Sequence, residues 1–147
     1  MRKSVNYIRL EFPSRSSNEG FARTAVACFA SQMDPTLNEL EDIKTAVSEA
    51  VTNAIVHAYP DSIGTVKIKA RICAGSVLEI TVKDAGRGIA DVEKARQPMF
   101  TTGGEERSGM GFTIMESFMT ELRVSSAPGK GTTVHMKRKI VRRGSPA

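Results

Sequence analysis

The chain has 147 residues, 40% hydrophobic and 25% charged, a make-up that suits one compact domain and leaves too little chain for two of ordinary size. No apolar run approaches the roughly 20 residues that cross a bilayer. The opening MRKSVNYIRLEF lacks both a continuous apolar stretch and a small-residue cleavage site, so a cytoplasmic protein with no membrane partner is expected. The formal charge of +5 lies wholly in residues 137–147, where Lys137, Arg138, Lys139, Arg142 and Arg143 stand without an acid. No nucleic-acid reading motif accompanies them, so a solvated basic terminus is expected rather than a nucleic-acid surface.

Residues 4–12, SVNYIRLEF, alternate imperfectly between apolar and polar and predict a strand that Pro13 ends. A helix is predicted from Ser16 or Ser17, with Phe21, Ala22, Ala25, Val26, Phe29 and Met33 at helical spacing, until Asp34-Pro35 breaks it. Cys28 in that helix and Cys73 further on have no metal-ligand spacing and are expected as buried free thiols. The next helix has a clear start signal. Thr36 followed by Glu39 is a capping box, in which side chain and backbone satisfy one another's orphaned groups.

That helix is predicted to reach Tyr59, before Pro60. At about 100° per residue, Leu40, Ile43, Val47, Val51, Ala54, Ile55 and Ala58 fall on one stripe, whereas Glu49 and Asn53 point nearly opposite. Thr65 to Cys73 and Val77 to Asp84 alternate with period two around Ala74-Gly75-Ser76, predicting a hairpin. A glycine-rich stretch follows, with a short helical turn at 91–97, the kind of segment used for a binding loop. A helix over Gly111–Met119 and two strands, 122–127 and 131–141, close the order. Strands and helices grouped in this way predict an α+β fold, helices covering one face of a mostly antiparallel mixed sheet. One domain over residues 1–140 with a basic tail at 141–147 is expected.

Three short motifs could carry chemistry. DAGRGI (84–89) leaves the end of a strand; Asp84 can accept a hydrogen bond from an amino group, and Gly86 and Gly88 permit close backbone approach, but a plain turn explains the hexapeptide as well. SGMGF (108–112) enters a helix, where glycines and free amides suit phosphate, or merely cap it. It is neither a Walker A loop nor a dinucleotide fingerprint. GTTV (131–134) by itself reflects β-propensity. Glu49 and Asn53, taken alone, are a solvated pair one turn apart.

Taken in order, NAIVH, DAGRGI, SGMGF and GTT resemble the ATP-binding domain of the gyrase, heat-shock chaperone, histidine kinase and MutL superfamily, with its Bergerat-type fold. NEGFARTAV, MDPTLNELEDIKTAVSEAVTNAIVHAY, KARQPMFTT and ERSGMGFTIMESFM extend the likeness over nearly the whole chain to the anti-sigma F factors of sporulating bacteria, the SpoIIAB type. Those are protein serine kinases that also sequester a sigma factor as homodimers. The resemblance implies that Asn53 holds Mg²⁺, that Asp84 binds the adenine amino group of ATP or ADP, and that Thr132 supports that contact. It further implies that Gly86 and Gly88 line the nucleotide site, and that Gly109, Met110 and Gly111 bring amides to the phosphates, with residues 89–108 as a lid and Arg107 at the γ-phosphate. Glu49 is then the general base toward a serine of an anti-anti-sigma partner of the SpoIIAA type. Arg23 matches a partner-contacting arginine of that family. Ala58 follows His57 where the family commonly has Gly, and GGEE before Arg107 lacks the family's Lys-Pro pair.

The same resemblance leaves two rivals, a general-stress anti-sigma kinase and a nucleotide-gated binding module without phosphotransfer. A histidine kinase is disfavoured, because His57 lies within the nucleotide-binding helix and no separate phosphoacceptor domain is present in the sequence.

Overall fold

The computed structural model describes residues 4–97 and 111–141. Five strands, β1 (Ser4–Pro13), β2 (Thr65–Cys73), β3 (Val77–Asp84), β4 (Glu121–Ser126) and β5 (Thr132–Lys139), form one sheet in the order β1-β2-β3-β5-β4. All four pairings are antiparallel, so the mixed character expected of the sheet is absent among the described residues. Alternation explains which face is buried. Val66, Ile68 and Ala70 of β2 and Leu78, Ile80 and Val82 of β3 point toward the helices and join the core. β1, an edge strand, turns Ile8, Leu10 and Phe12 inward and leaves Val5 and Tyr7 exposed.

The helices cover one face of this sheet. α1 (Ser17–Ala30) buries Ala22, Val26, Phe29 and Ala30, then tightens into a 3-10 turn at Ser31–Met33. Phe21 lies one residue off that stripe and is exposed. The expectation of a buried Cys28 fails for the same reason: it follows Val26 by two residues, about 200° round the helix. Cys73 is buried, but by its parity in β2 it lies on the sheet face of Arg71 and Glu79, opposite to Val66, Ile68 and Ala70, and both thiols are free.

α2 (Leu37–Thr52) starts at Thr36 with both bonds of the capping box in place. Glu39 N–H donates to Thr36 Oγ1 at 3.0 Å, and Thr36 N–H donates to Glu39 Oε1 at 2.8 Å. Its buried stripe, including Ile43, Val47, Ala50 and Val51, packs on the core. α2 touches both α1 and α4 (Gly111–Phe118), and a short α3 (Val92–Ala95) precedes the undescribed stretch 98–110.

The far end of α2 departs from expectation. Instead of continuing as regular helix to Tyr59, Asn53–His57 form a π turn, in which Ala58 N–H donates to Asn53 O at 3.2 Å. Apolar periodicity does not distinguish a five-residue step from a four-residue one over so short a span. Single π turns concentrate at functional sites. Of the basic residues assigned to the terminus, Lys137, Arg138 and Lys139 belong to β5, and Arg138 pairs with Asp42 at 3.0 Å.

Candidate active site

α2 carries its two odd polar residues to the start of α4. A Cβ placed on Gly111 would lie 3.3 Å from Asn53 Nδ2, 3.5 Å from Asn53 Oδ1 and 3.4 Å from Glu49 Oε2. Gly111 therefore lets the helix start approach both side chains. The free amides of a first helical turn carry partial positive charge, so an anionic group and a polar clamp from α2 can meet there.

From this point a cleft of about 450 Å³ runs to the ends of β3 and β5, lined by Asn53, His57, Asp84, Gly88, Gly111 and Thr132 among others. Asp84 and Thr132 are register partners, so the antiparallel ladder itself sets them side by side. Asp84 Oδ1 accepts the N–H of Gly86 at 3.0 Å and that of Thr132 at 3.2 Å. Burial pushes the Asp84 carboxyl above the usual aspartate range, and those two amides only partly offset it. A carboxylate raised in this way gains from a hydrogen-bond donor in the cleft.

DAGRGI is both a turn and a wall of the cleft. Arg87 N–H donates to Ala58 O at 2.9 Å, and Gly129 N–H donates to Arg87 O at 2.7 Å. Gly88 sits at φ +76°, and a Cβ there would fall 2.0 Å from Ala127 O, so no larger residue fits without moving the backbone. A Cβ on Gly86 would likewise fall 2.3 Å from Ala58 O. The turn is thus wedged between the end of α2 and the β4–β5 connection.

Two further residues hold the turn without a distinctive sequence signal. Tyr59 Oη accepts Ala85 N–H at 2.7 Å and donates to Thr65 O at 2.8 Å. Ser126 Oγ accepts Ile89 N–H at 2.7 Å and lies 2.8 Å from Thr132 Oγ1. His57, which the sequence left without a role, lines the cleft.

Arg23 is not in this cleft. It lines a second, polar cavity of about 310 Å³ between α1 and α2, together with Lys44, Ser48 and Glu49. Arg23 Nε is 3.6 Å from Glu19 Oε2, while Ser48 Oγ donates to the same carboxylate atom at 2.8 Å. Glu49 therefore belongs to both places, lining the second cavity while its Oε2 reaches toward Gly111. Arg107, Gly109 and Met110, expected at the phosphates, lie outside the described residues.

An α+β layer with this cleft between helix and sheet defines the class. The histidine kinase-like ATPase domain model matches residues 12–138. The anti-sigma F factor of Thermoanaerobacter sp. (strain X514) is 59% identical over 137 residues, 92% of this chain and 95% of that protein. The anti-sigma F factor of Geobacillus kaustophilus (strain HTA426) is 57% identical over 139 residues, covering 93% and 94%. The chain belongs to the histidine kinase-like ATPase family, among its anti-sigma F factors. In fold it is similar to a crystal structure of the RsbU and RsbW domains of a Mycobacterium tuberculosis protein, with a TM-score of 0.70 at 18% identity, over 94% of this chain and 33% of that one.

Proposed function

We propose that this chain is an ATP-dependent protein serine kinase that phosphorylates an anti-anti-sigma partner and, as a homodimer, sequesters sigma factor F. Residues 1–140 would form the single kinase domain and 141–147 its basic tail. The observation that carries the reading is the position of Glu49. It stands between a cleft of about 450 Å³ and a polar cavity of about 310 Å³ between α1 and α2, one helical turn from Asn53 and against the start of α4.

ATP or ADP would lie with its amino group at Asp84 and Thr132, its base beside Gly86 and Gly88, and its phosphates toward Gly111. Serine is a weak nucleophile at neutral pH. Glu49 would accept the hydroxyl proton as the serine oxygen attacks the γ-phosphorus and the bond to the bridging oxygen breaks, leaving phosphoserine and ADP. Mg²⁺ is commonly held by one or two protein oxygens plus substrate phosphates. The Asn53 amide, beside the Glu49 carboxylate, fits that modest requirement. When bound, the ion would neutralise phosphate charge; Asn53 would orient it, while Arg107, Gly109 and Met110 would complete the phosphate contacts. Arg23, at the rim of the second cavity, would contact the partner.

The test is to incubate the chain with Mg-ATP and an anti-anti-sigma protein and to map phosphorylation, with sigma factor capture followed in parallel. Phosphoserine on the partner and recovery of sigma factor F are expected. Nucleotide binding without phosphoserine would leave a nucleotide-gated binding module. Capture of a general-stress sigma factor instead would reassign the pathway.

A further inference from the structure

Ser126 lies behind the cleft, on β4, and touches three groups at once. Ile89 N is 2.7 Å from its hydroxyl oxygen, Gly131 O is 2.9 Å away and Thr132 Oγ1 is 2.8 Å away. A hydroxyl has one proton to donate and two lone pairs to accept with. The Ile89 amide can only donate and the Gly131 carbonyl can only accept. All three contacts are hydrogen bonds in a single arrangement. Ser126 donates to Gly131 O, accepts from Ile89 N–H, and accepts from the hydroxyl of Thr132.

We infer that Ser126 is a specificity-determining positioning residue, which commits the Thr132 proton away from the cleft so that the Asp84–Thr132 pair presents acceptors alone. The inference rests on the nucleotide reading above. Thr132 has no proton left to offer a ligand. Its neighbour Asp84 already spends Oδ1 on two backbone amides, and as a carboxylate it also only accepts. Two adjacent acceptors match an exocyclic amino group, which carries two N–H donors. They oppose a ring carbonyl in the same place, which is what guanine presents there. A site built to hydrogen-bond one group rejects an isostere that leaves its buried polar atoms unpaired.

The same hydroxyl ties the cleft together mechanically. Ile89 ends the DAGRGI turn and Gly131, at φ +82°, immediately precedes β5 beside Asp84, where a Cβ would lie 2.1 Å from Asp84 O. Loss of Ser126 would therefore loosen both walls, and an affinity loss common to every nucleotide would not by itself support the inference. The ratio between nucleotides does. In Ser126→Ala the Thr132 hydroxyl is free to rotate and donate toward a carbonyl.

The experiment is calorimetric titration of ADP and GDP into the full chain, as wild type, Ser126→Ala and Ser126→Thr, with thermal unfolding to confirm folding. The expected result is a preference for ADP over GDP that falls roughly tenfold in Ser126→Ala and returns in Ser126→Thr, which restores the hydroxyl. An unchanged ratio in Ser126→Ala, whether both affinities fall together or neither moves, would overturn the inference and leave the nucleotide site standing. A wild-type chain that binds neither nucleotide would sink the nucleotide reading itself.

Discussion

Glu39 and Asp84 are both carboxylates at 7% exposure, and both accept backbone amides, yet they are displaced in opposite directions. Burial raises Glu39, but Thr36 N–H, Val141 N–H, the Thr36 hydroxyl and nearby Arg138 together outweigh it and hold the group below the usual glutamate range. Both of its oxygens are used, Oε1 by Thr36 and Oε2 by Val141 at 3.1 Å. Asp84 takes its two amides on one oxygen and faces the cleft. There burial wins. The difference separates a carboxylate bonded within the fold through both oxygens from one that, among the described residues, accepts amides on one oxygen alone and faces a cleft.

Asparagine at position 84 should break the comparison most strongly. It substitutes a donor for an acceptor at the base end, and charged hydrogen bonds are worth about 1.5–3 kcal/mol, so Asp84→Asn is expected to weaken ADP binding by roughly 10- to 100-fold in calorimetry. Stability should not suffer. A raised pKa makes ionised Asp84 a cost to the fold at neutral pH, a cost relieved as pH falls through that raised value. Asp84→Asn should therefore be as stable as wild type or more so at neutral pH, and any gain should fade in acid.

Glu39→Ala should show the reverse pattern with a smaller effect. Loss of the reciprocal cap and of the Val141 contact is expected to cost about 1–2 kcal/mol in denaturant unfolding, with ADP affinity unchanged. The sign of its pH dependence is also opposite. The depressed pKa of Glu39 contributes stability above the ordinary glutamate value and loses it as pH falls through the folded value. The difference in stability between wild type and Glu39→Ala should shrink in acid. A Glu39→Ala chain that lost nucleotide binding while remaining folded would erase the distinction.

The Glu39 side of this comparison was readable from the sequence, because a capping box is a local pattern whose two bonds involve residues three apart. Hairpin β2–β3 was readable for a similar reason, since alternation and a glycine-containing link fix both strands, and Thr65–Cys73 and Val77–Asp84 are its observed bounds. Asp84 was half readable. Its motif left turn and site open, and only the ladder that sets Thr132 opposite it joins residues 48 positions apart. Ser126 and Tyr59 were not readable, because a serine in a strand and a tyrosine before a proline acquire their roles from distant backbone groups. The junction of Arg23 with Glu49 in one cavity likewise arises from the packing of α1 on α2.

On the function proposed above, Glu49 at the end of α2 serves the acceptor hydroxyl, and Asn53, one turn on at the start of the π turn, serves the nucleotide. Replacing Glu49 by glutamine keeps the size and removes the base. ATP affinity and phosphoserine formation on the anti-anti-sigma partner, measured together for Glu49→Gln, test the claim directly. The predicted result is transfer slowed by roughly 100-fold or more, with ATP affinity close to that of wild type. Equal loss of both, or transfer at the wild-type rate, would contradict it.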